Sequence, residues 1–318
     1  MKDALPLDNF DGAGTDLLSL LYGFFAHLQE RPYEDSSKEK SLEVGSITHE
    51  NRQLRVKLST GSYGIRSRIK DRASLSTVFQ RTEDDVELID LRNLISVPAG
   101  ADLAIIMTER IHGNGILTLF SSAFKSAFRA KYPGYTLEVS NLAPESAFGI
   151  LLEQGKVKKY RLVRHAIPHD LGDMYNISSR QSSIGSVEMV VRPARNGFLP
   201  KEWIGAAVSS DGDLQHLLEW RGERFDEMKI EVKVGGTTRT VSVAPGTKPL
   251  MVYDLDEEAL ADGTEVNDAF VYGRAAEISS ELAHVVGLSP DALSRPFAWP
   301  SHWDHTRLEV PNASDDQP

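Results

Sequence analysis

Apolar residues recur at helical spacing in two stretches of the chain. Leu17, Leu20, Leu21, Phe24 and Leu28 form one stripe. It predicts a helix that starts at Thr15–Asp16 and runs to about Glu30, where Arg31-Pro32 ends it. Leu117, Phe120, Phe124 and Phe128 form the second stripe within "GNGILTLFSSAFKSAFRAKYPGY", stopped by Pro133-Gly134. A short helix is expected in "PESAFGILLEQG", with Pro144 near its first turn and Gly155 beyond its end. Two more are expected, from Lys201 to about Arg221 with a break at 209–212, and from Glu277 to Val286.

Between these stretches the pattern shifts to alternation, the mark of half-buried strands. "LEVGSITHEN" and "RQLRVKLS" read as two strands with His49-Glu50-Asn51 at the turn. Val86–Val97 and Ala101–Thr108 follow, joined by "PAGAD". "YTLEVSNL", "KVKKYRLVRHAI" and "IGSVEMVVRPA" complete the middle of the chain, and "KIEVKVGGTTRTVSVAP" reads as a hairpin around "GGTT". The expected fold class is α+β, with mainly antiparallel sheets and packed helices. The expected division is an α+β domain over 1–200, an acidic C-terminal domain or extension over 201–310, and a disordered tail at 311–318.

Charge changes this picture. The 318 residues carry a formal net charge of −11, unevenly spread. Residues 1–51 hold −6, 52–81 hold +7, 82–108 hold −5, 109–201 hold +6 and 202–318 hold −13. An acidic average argues against adhesion to polyanions by the whole surface, but leaves room for a basic face. The chain has no cysteine, which removes disulfides, thiolate metal sites and cysteine nucleophiles together. No apolar run is long enough for a membrane-spanning helix, and the acids near the N-terminus do not suit a signal peptide. The expected location is therefore the cytoplasm, with no membrane partner.

The basic face is most concentrated in "GIRSRIKDR", where Arg66, Arg68, Lys70 and Arg72 occupy every second position. On a strand they share one side. Arg55 and Lys57 share a side of the preceding strand, and pairing the two strands through "STGSYG" would gather six cations on one ribbon. Aligned like charges destabilise a strand, and an anionic partner removes that penalty. A nucleic-acid backbone is the natural candidate. The plain structural alternative is an edge strand guarded by charge against aggregation, or one neutralised by the acidic run "EDDVELID". Lys125 and Arg129 flank the aromatic helix, and Lys156, Lys158, Lys159 and Arg161 lie in a second basic strand. These six are possible supports of the same face. Zinc-finger, helix-turn-helix and RNA-recognition signatures are missing, so the expected contacts are to phosphates, salt-sensitive and weakly sequence-specific.

Two other function classes compete. Glu231 and Lys233 in "IEVKV" give the Glu-x-Lys half of a metal-dependent nuclease pattern, with Asp211, Asp213 or Asp226 as the missing acid. His165 and His169, or His302, Asp304 and His305, offer metal-ligand residue types without a zinc-enzyme spacing. The third class is a protein-interaction module whose acidic and basic regions pair between subunits. The expectation carried forward has no catalytic residue, no metal and no cofactor.

The order of features resembles the RexA phage-exclusion proteins. The helix "LLSLLYGFFAHL" is followed by the strand "LEVGS", strand pairs ending in "IRSRIKDRAS", an acidic segment, the strand "DLAIIMTERI", a glycine loop and the aromatic helix "LTLFSSAF". The likeness covers about residues 14–165 and is one of layout, without a diagnostic motif. It implies a homodimeric α+β protein that binds double-stranded DNA with little sequence preference and acts in anti-phage defence.

Overall fold

The computed structural model describes residues 4–71, 73–111, 114–140, 142, 155–165, 187–194, 197–200, 216, 218–220, 222–234, 237–244, 250–253, 255, 260–261, 265–289 and 291–311. The chain forms two compact units: Met1–Glu138 with Glu257–Pro318, and Val139–Asp256. The fold is α+β with antiparallel sheets, as the patterning predicts.

The first unit is built on a five-stranded sheet of β1 (Tyr33–Asp35), β2 (Lys40–Glu50), β3 (Gln53–Ser62), β6 (Glu87–Ser96) and β7 (Ile105–Thr108), in that spatial order. Helix α1 (Leu17–Glu30) lies against β2 and β3, and its apolar stripe meets Leu54, Val56 and Leu58 of β3. Alternation turns Arg55 and Lys57 to the opposite face of the sheet. Helix α2 (Leu117–Lys131) rests on α1 through aromatic contacts, with Phe24 5.1 Å from Phe124 and Phe25 5.4 Å from Phe120 between ring centroids. Such tilted and offset ring pairs add stabilisation beyond their buried area.

Asp16 fixes where α1 begins. Its carboxylate accepts the N–H of Leu18 and receives both Arg52 terminal nitrogens, at 2.8 and 3.0 Å. Arg52 also donates Nε to the Val97 carbonyl, and both side chains of the pair are buried. One residue thus caps a helix, neutralises a buried cation and ties α1 to the sheet.

On the sheet's other face, helix α3 (Asp268–Val285) lies against β6 and β7. Its first residue receives Lys57 and, at 2.8 Å, Arg92, which also meets Glu109. Burial pushes the Asp268 carboxyl up, but the hydrogen bonds and charges of Lys57 and Arg92 outweigh it and hold it below its ordinary value. The first core also takes in Trp303 and Leu308. The division expected near residue 200 is therefore not the one observed: the stretch from 257 onward returns to the first unit, carried by the burial of its apolar residues.

The second unit is a five-stranded sheet of β9 (Val187–Val191), β8 (Lys156–Arg164), β10 (Glu227–Val234), β11 (Thr237–Val243) and β12 (Leu250–Val252), all antiparallel. Val157, Tyr160, Leu162, Met228, Ile230, Val232, Val241 and Val243 share its apolar face. The hairpin expected around "GGTT" is the β10–β11 pair. "YTLEVSNL" is not a strand over residues 135–140: Tyr135 and Leu137 pack on the first core instead of entering a ladder. The helix expected in 144–154, residues 201–215 of the helix expected from 201 to about 221, and the tail at 312–318 lie outside the described residues; at the far end of the second, Glu219–Trp220 is instead a short strand paired with Glu223–Arg224. No described helix is long and apolar enough to cross a membrane.

Candidate nucleic-acid interface

Strands β3 and β6 are antiparallel neighbours, yet 24 residues separate Ser62 from Glu87 in the chain. The connection folds into a hairpin of its own: β4 (Ser67–Lys70) pairs with β5 (Thr77–Arg81) and, among the described residues, with no other strand. Every described residue from Arg68 to Gln80 is exposed. The hairpin is therefore an exposed arm among the described residues.

Its root is tightly built. The buried Arg81 donates Nε to the Asp85 carbonyl at 3.0 Å and a terminal nitrogen to the Ser62 carbonyl. Gly64, at φ +80°, turns the chain into the arm and donates its N–H to the Glu83 carbonyl at 2.7 Å. Gly61 lies so close to the Glu87 carbonyl that a Cβ there would overlap it. Thr82 donates from its N–H and hydroxyl to Asp85, closing the far side of the root. Fixing the base this firmly gives a short, otherwise unsupported ribbon a defined direction, since a lone two-stranded hairpin is marginal in water.

Register places the side chains. Arg68 faces Gln80 and Lys70 faces Thr77 on one side, while Ile69 faces Phe79 on the other. The ladder shifts between Ile69 and Lys70, leaving Val78 as the extra residue of a bulge. The turn at the tip is closed by Asp71 N–H to the Ser76 carbonyl and Leu75 N–H to the Asp71 carbonyl, each 2.9 Å. The Asp71 carboxylate accepts the Ser74 N–H at 2.6 Å, and hydrogen bonding by the Ser74 side chain and then its N–H holds it below its ordinary value. Leu75 has φ +56°, a conformation that costs a bulky side chain roughly 1–2 kcal/mol.

The arm also carries an unusual share of exposed apolar surface: Ile65, Ile69, Leu75, Val78 and Phe79 are all exposed. In sequence Ile69 reads as the inward side of a half-buried alternating strand. Its exposure depends on what the arm fails to meet, which local pattern does not encode.

The twelve sequence-predicted cations separate clearly. The six-cation ribbon does not form, because β3 takes β2 and β6 as its neighbours instead of β4. Arg55 pairs with Glu50 and Lys57 with Asp268. Arg66 meets Glu83 at 3.2 Å while staying largely exposed. Arg68 and Lys70 are exposed, and among the described residues neither has an ion pair or a side-chain hydrogen bond. Arg72 lies outside the described residues. Lys125 and Arg129 sit on α2, and Arg129, in its last turn, complements the helix dipole.

The remaining four belong to the second unit. Lys156 and Lys158 place their ammonium groups 4.9 and 4.6 Å from the Phe198 ring centroid. Lys159 pairs with Glu231 at 2.6 Å, and Arg161 approaches Glu231 at 3.3 Å and Glu188 at 3.8 Å. These contacts also bear on the nuclease pattern. Glu231 faces two cations of its own sheet, so a metal ion there would have to displace them. Asp226 accepts the His165 N–H at 2.8 Å, and His165 Nε2 lies 3.2 Å from Glu227. Asp304 accepts the Trp299 indole N–H. Among the described residues no group of three or more histidines and carboxylates is placed to hold a metal. Asp211, Asp213 and His169 lie outside them.

No family model, no curated protein and no solved structure matches this chain. What it does must therefore be argued from its own geometry.

Proposed function

We propose that the protein binds double-stranded DNA through the β4–β5 arm, by phosphate contacts of low sequence specificity. The observation that carries this reading is the state of Arg68 and Lys70. They lie on one face of a projecting two-stranded ribbon, in water, and no described carboxylate neutralises them. Two side chains on alternate residues stand about 6.6 Å apart, at ~3.3 Å per residue. Like charges held that close repel, and phosphates relieve the repulsion. The shape agrees with the chemistry: a two-stranded ribbon is a protein element that enters the major or minor groove of duplex DNA. Arg66, already paired with Glu83, contributes less.

A defence role against phage rests on the layout resemblance alone, as does a homodimer. The test of binding is direct. Fluorescence anisotropy of a labelled duplex titrated with the protein reports the affinity, and the charge reversal Arg68→Glu with Lys70→Glu is expected to abolish it while circular dichroism stays unchanged. Full affinity in the reversed variant overturns the reading.

A further inference from the structure

The cations account for one face of the arm and leave its tip unexplained. Leu75 is the most exposed large apolar residue described, at 73%. It sits at the turn, beyond the last ladder pair, Lys70 with Thr77. Its left-handed backbone suits Gly or Asn and not leucine. Val78 at the bulge, and Ile69 and Phe79 across the ladder, continue apolar surface down the arm at 66, 48 and 49% exposure. A solvent-facing turn gains nothing from such side chains, and an apolar partner is what they suit.

We propose that the arm bends duplex DNA, with Leu75 inserting between adjacent base pairs while Lys70 and Arg68 hold the flanking phosphates. This inference rests on the DNA-binding reading above. A base step is apolar on its stacking faces and bordered by phosphates, so it matches an apolar tip backed by cations. Apolar wedges of this kind partly unstack a step and kink the duplex, most easily at flexible pyrimidine–purine steps. The bulge at Val78 strengthens the local twist of the ribbon just behind the wedge. The single acid of the turn, Asp71, keeps its charge while hydrogen-bonded by Ser74, and Arg68 and Lys70 outnumber it beside the tip.

The test uses the full chain and a short duplex with a donor and acceptor dye at its ends and 2-aminopurine at a central TA step. Wild-type protein is expected to raise both energy transfer and 2-aminopurine fluorescence on binding. The variant Leu75→Asn keeps the left-handed turn, and is expected to lose both signals while its Kd changes by less than about tenfold. Wild-type binding without either signal removes this inference and leaves the DNA-binding reading standing. Equal signals from Leu75→Asn also remove it. If sedimentation shows that Leu75→Asn turns a dimer into a monomer and the duplex stays straight, the tip contacts a second copy and the wedge is refuted. Absence of any duplex binding by the wild type removes both proposals together.

Discussion

Replacing Arg68 and Lys70 together by alanine separates phosphate contact from every other use of the arm. Both side chains are exposed and without an ion pair or side-chain hydrogen bond among the described residues. The double variant should therefore keep its stability within about ±0.5 kcal/mol. Each phosphate contact releases counterions and adds about −0.9 to the slope of log affinity against log salt. Two lost contacts flatten the slope by about 1.8. Between about 50 and 200 mM salt, the wild type's advantage over the variant should then shrink by about 12-fold. Anisotropy titrations at four salt concentrations measure both slopes, and thermal melts check the fold. Arg66→Ala should flatten the slope by less than one contact's worth, because Glu83 already holds that guanidinium at 3.2 Å. Parallel slopes for wild type and double variant would refute the reasoning, whatever the absolute affinities.

Two further predictions concern the body that carries the arm. Asp16→Ala removes the cap of α1 and leaves Arg52 a buried unpaired cation, so urea unfolding should show a loss of roughly 3–5 kcal/mol; a loss below about 1 kcal/mol would mean that Arg52 finds another partner. Asp268→Asn should cost about 1 kcal/mol near neutral pH, since it weakens the bonds from Lys57 and Arg92. Because the folded-state pKa of Asp268 is depressed, its contribution is present above the ordinary value of 3.8 and is lost as pH falls below it through the lower folded value; a difference between wild type and variant that persists undiminished in strong acid contradicts this.

The legible parts of the sequence were those in which local pattern and tertiary contact agree. The stripe of α1, the stop at Arg31-Pro32 and the cap at Asp16 are written within one stretch of about four turns. So is the turn at Asn51, whose φ of +51° suits asparagine. The partner of Asp16 was not legible, since Arg52 comes 36 residues later and nothing local marks it as buried. The same limit governed the cations. Arg55 and Lys57 look no different from Arg68 and Lys70 in sequence, yet Glu50 takes Arg55 and an acid as distant as position 268 takes Lys57, while no described carboxylate takes Arg68 or Lys70. Pairing between β3 and β6 across 24 intervening residues decided which basic strand joins the sheet and which projects from it. That choice belongs to long-range register, which alternation alone does not specify.

Projection also resolves the tension between an acidic protein and an anionic partner. Residues 66–80 hold four cations and one acid, a net +3, which leaves −14 for the remainder of the −11 chain. A body of that charge repels a duplex from a flat approach. The four residues of β4 alone extend about 13 Å, at ~3.3 Å each, before the turn adds its own reach. The Debye length at physiological ionic strength is about 8 Å. The tip thus stands more than one Debye length along the arm from its root, where the body's field is largely screened, while Arg68 and Lys70 lie within reach of whatever the tip touches. Half-buried on the sheet face like Arg55 and Lys57, the same two cations would be spent on the chain's own carboxylates. Their separation from those carboxylates by a rigidly rooted ribbon is what leaves their charge available to a partner.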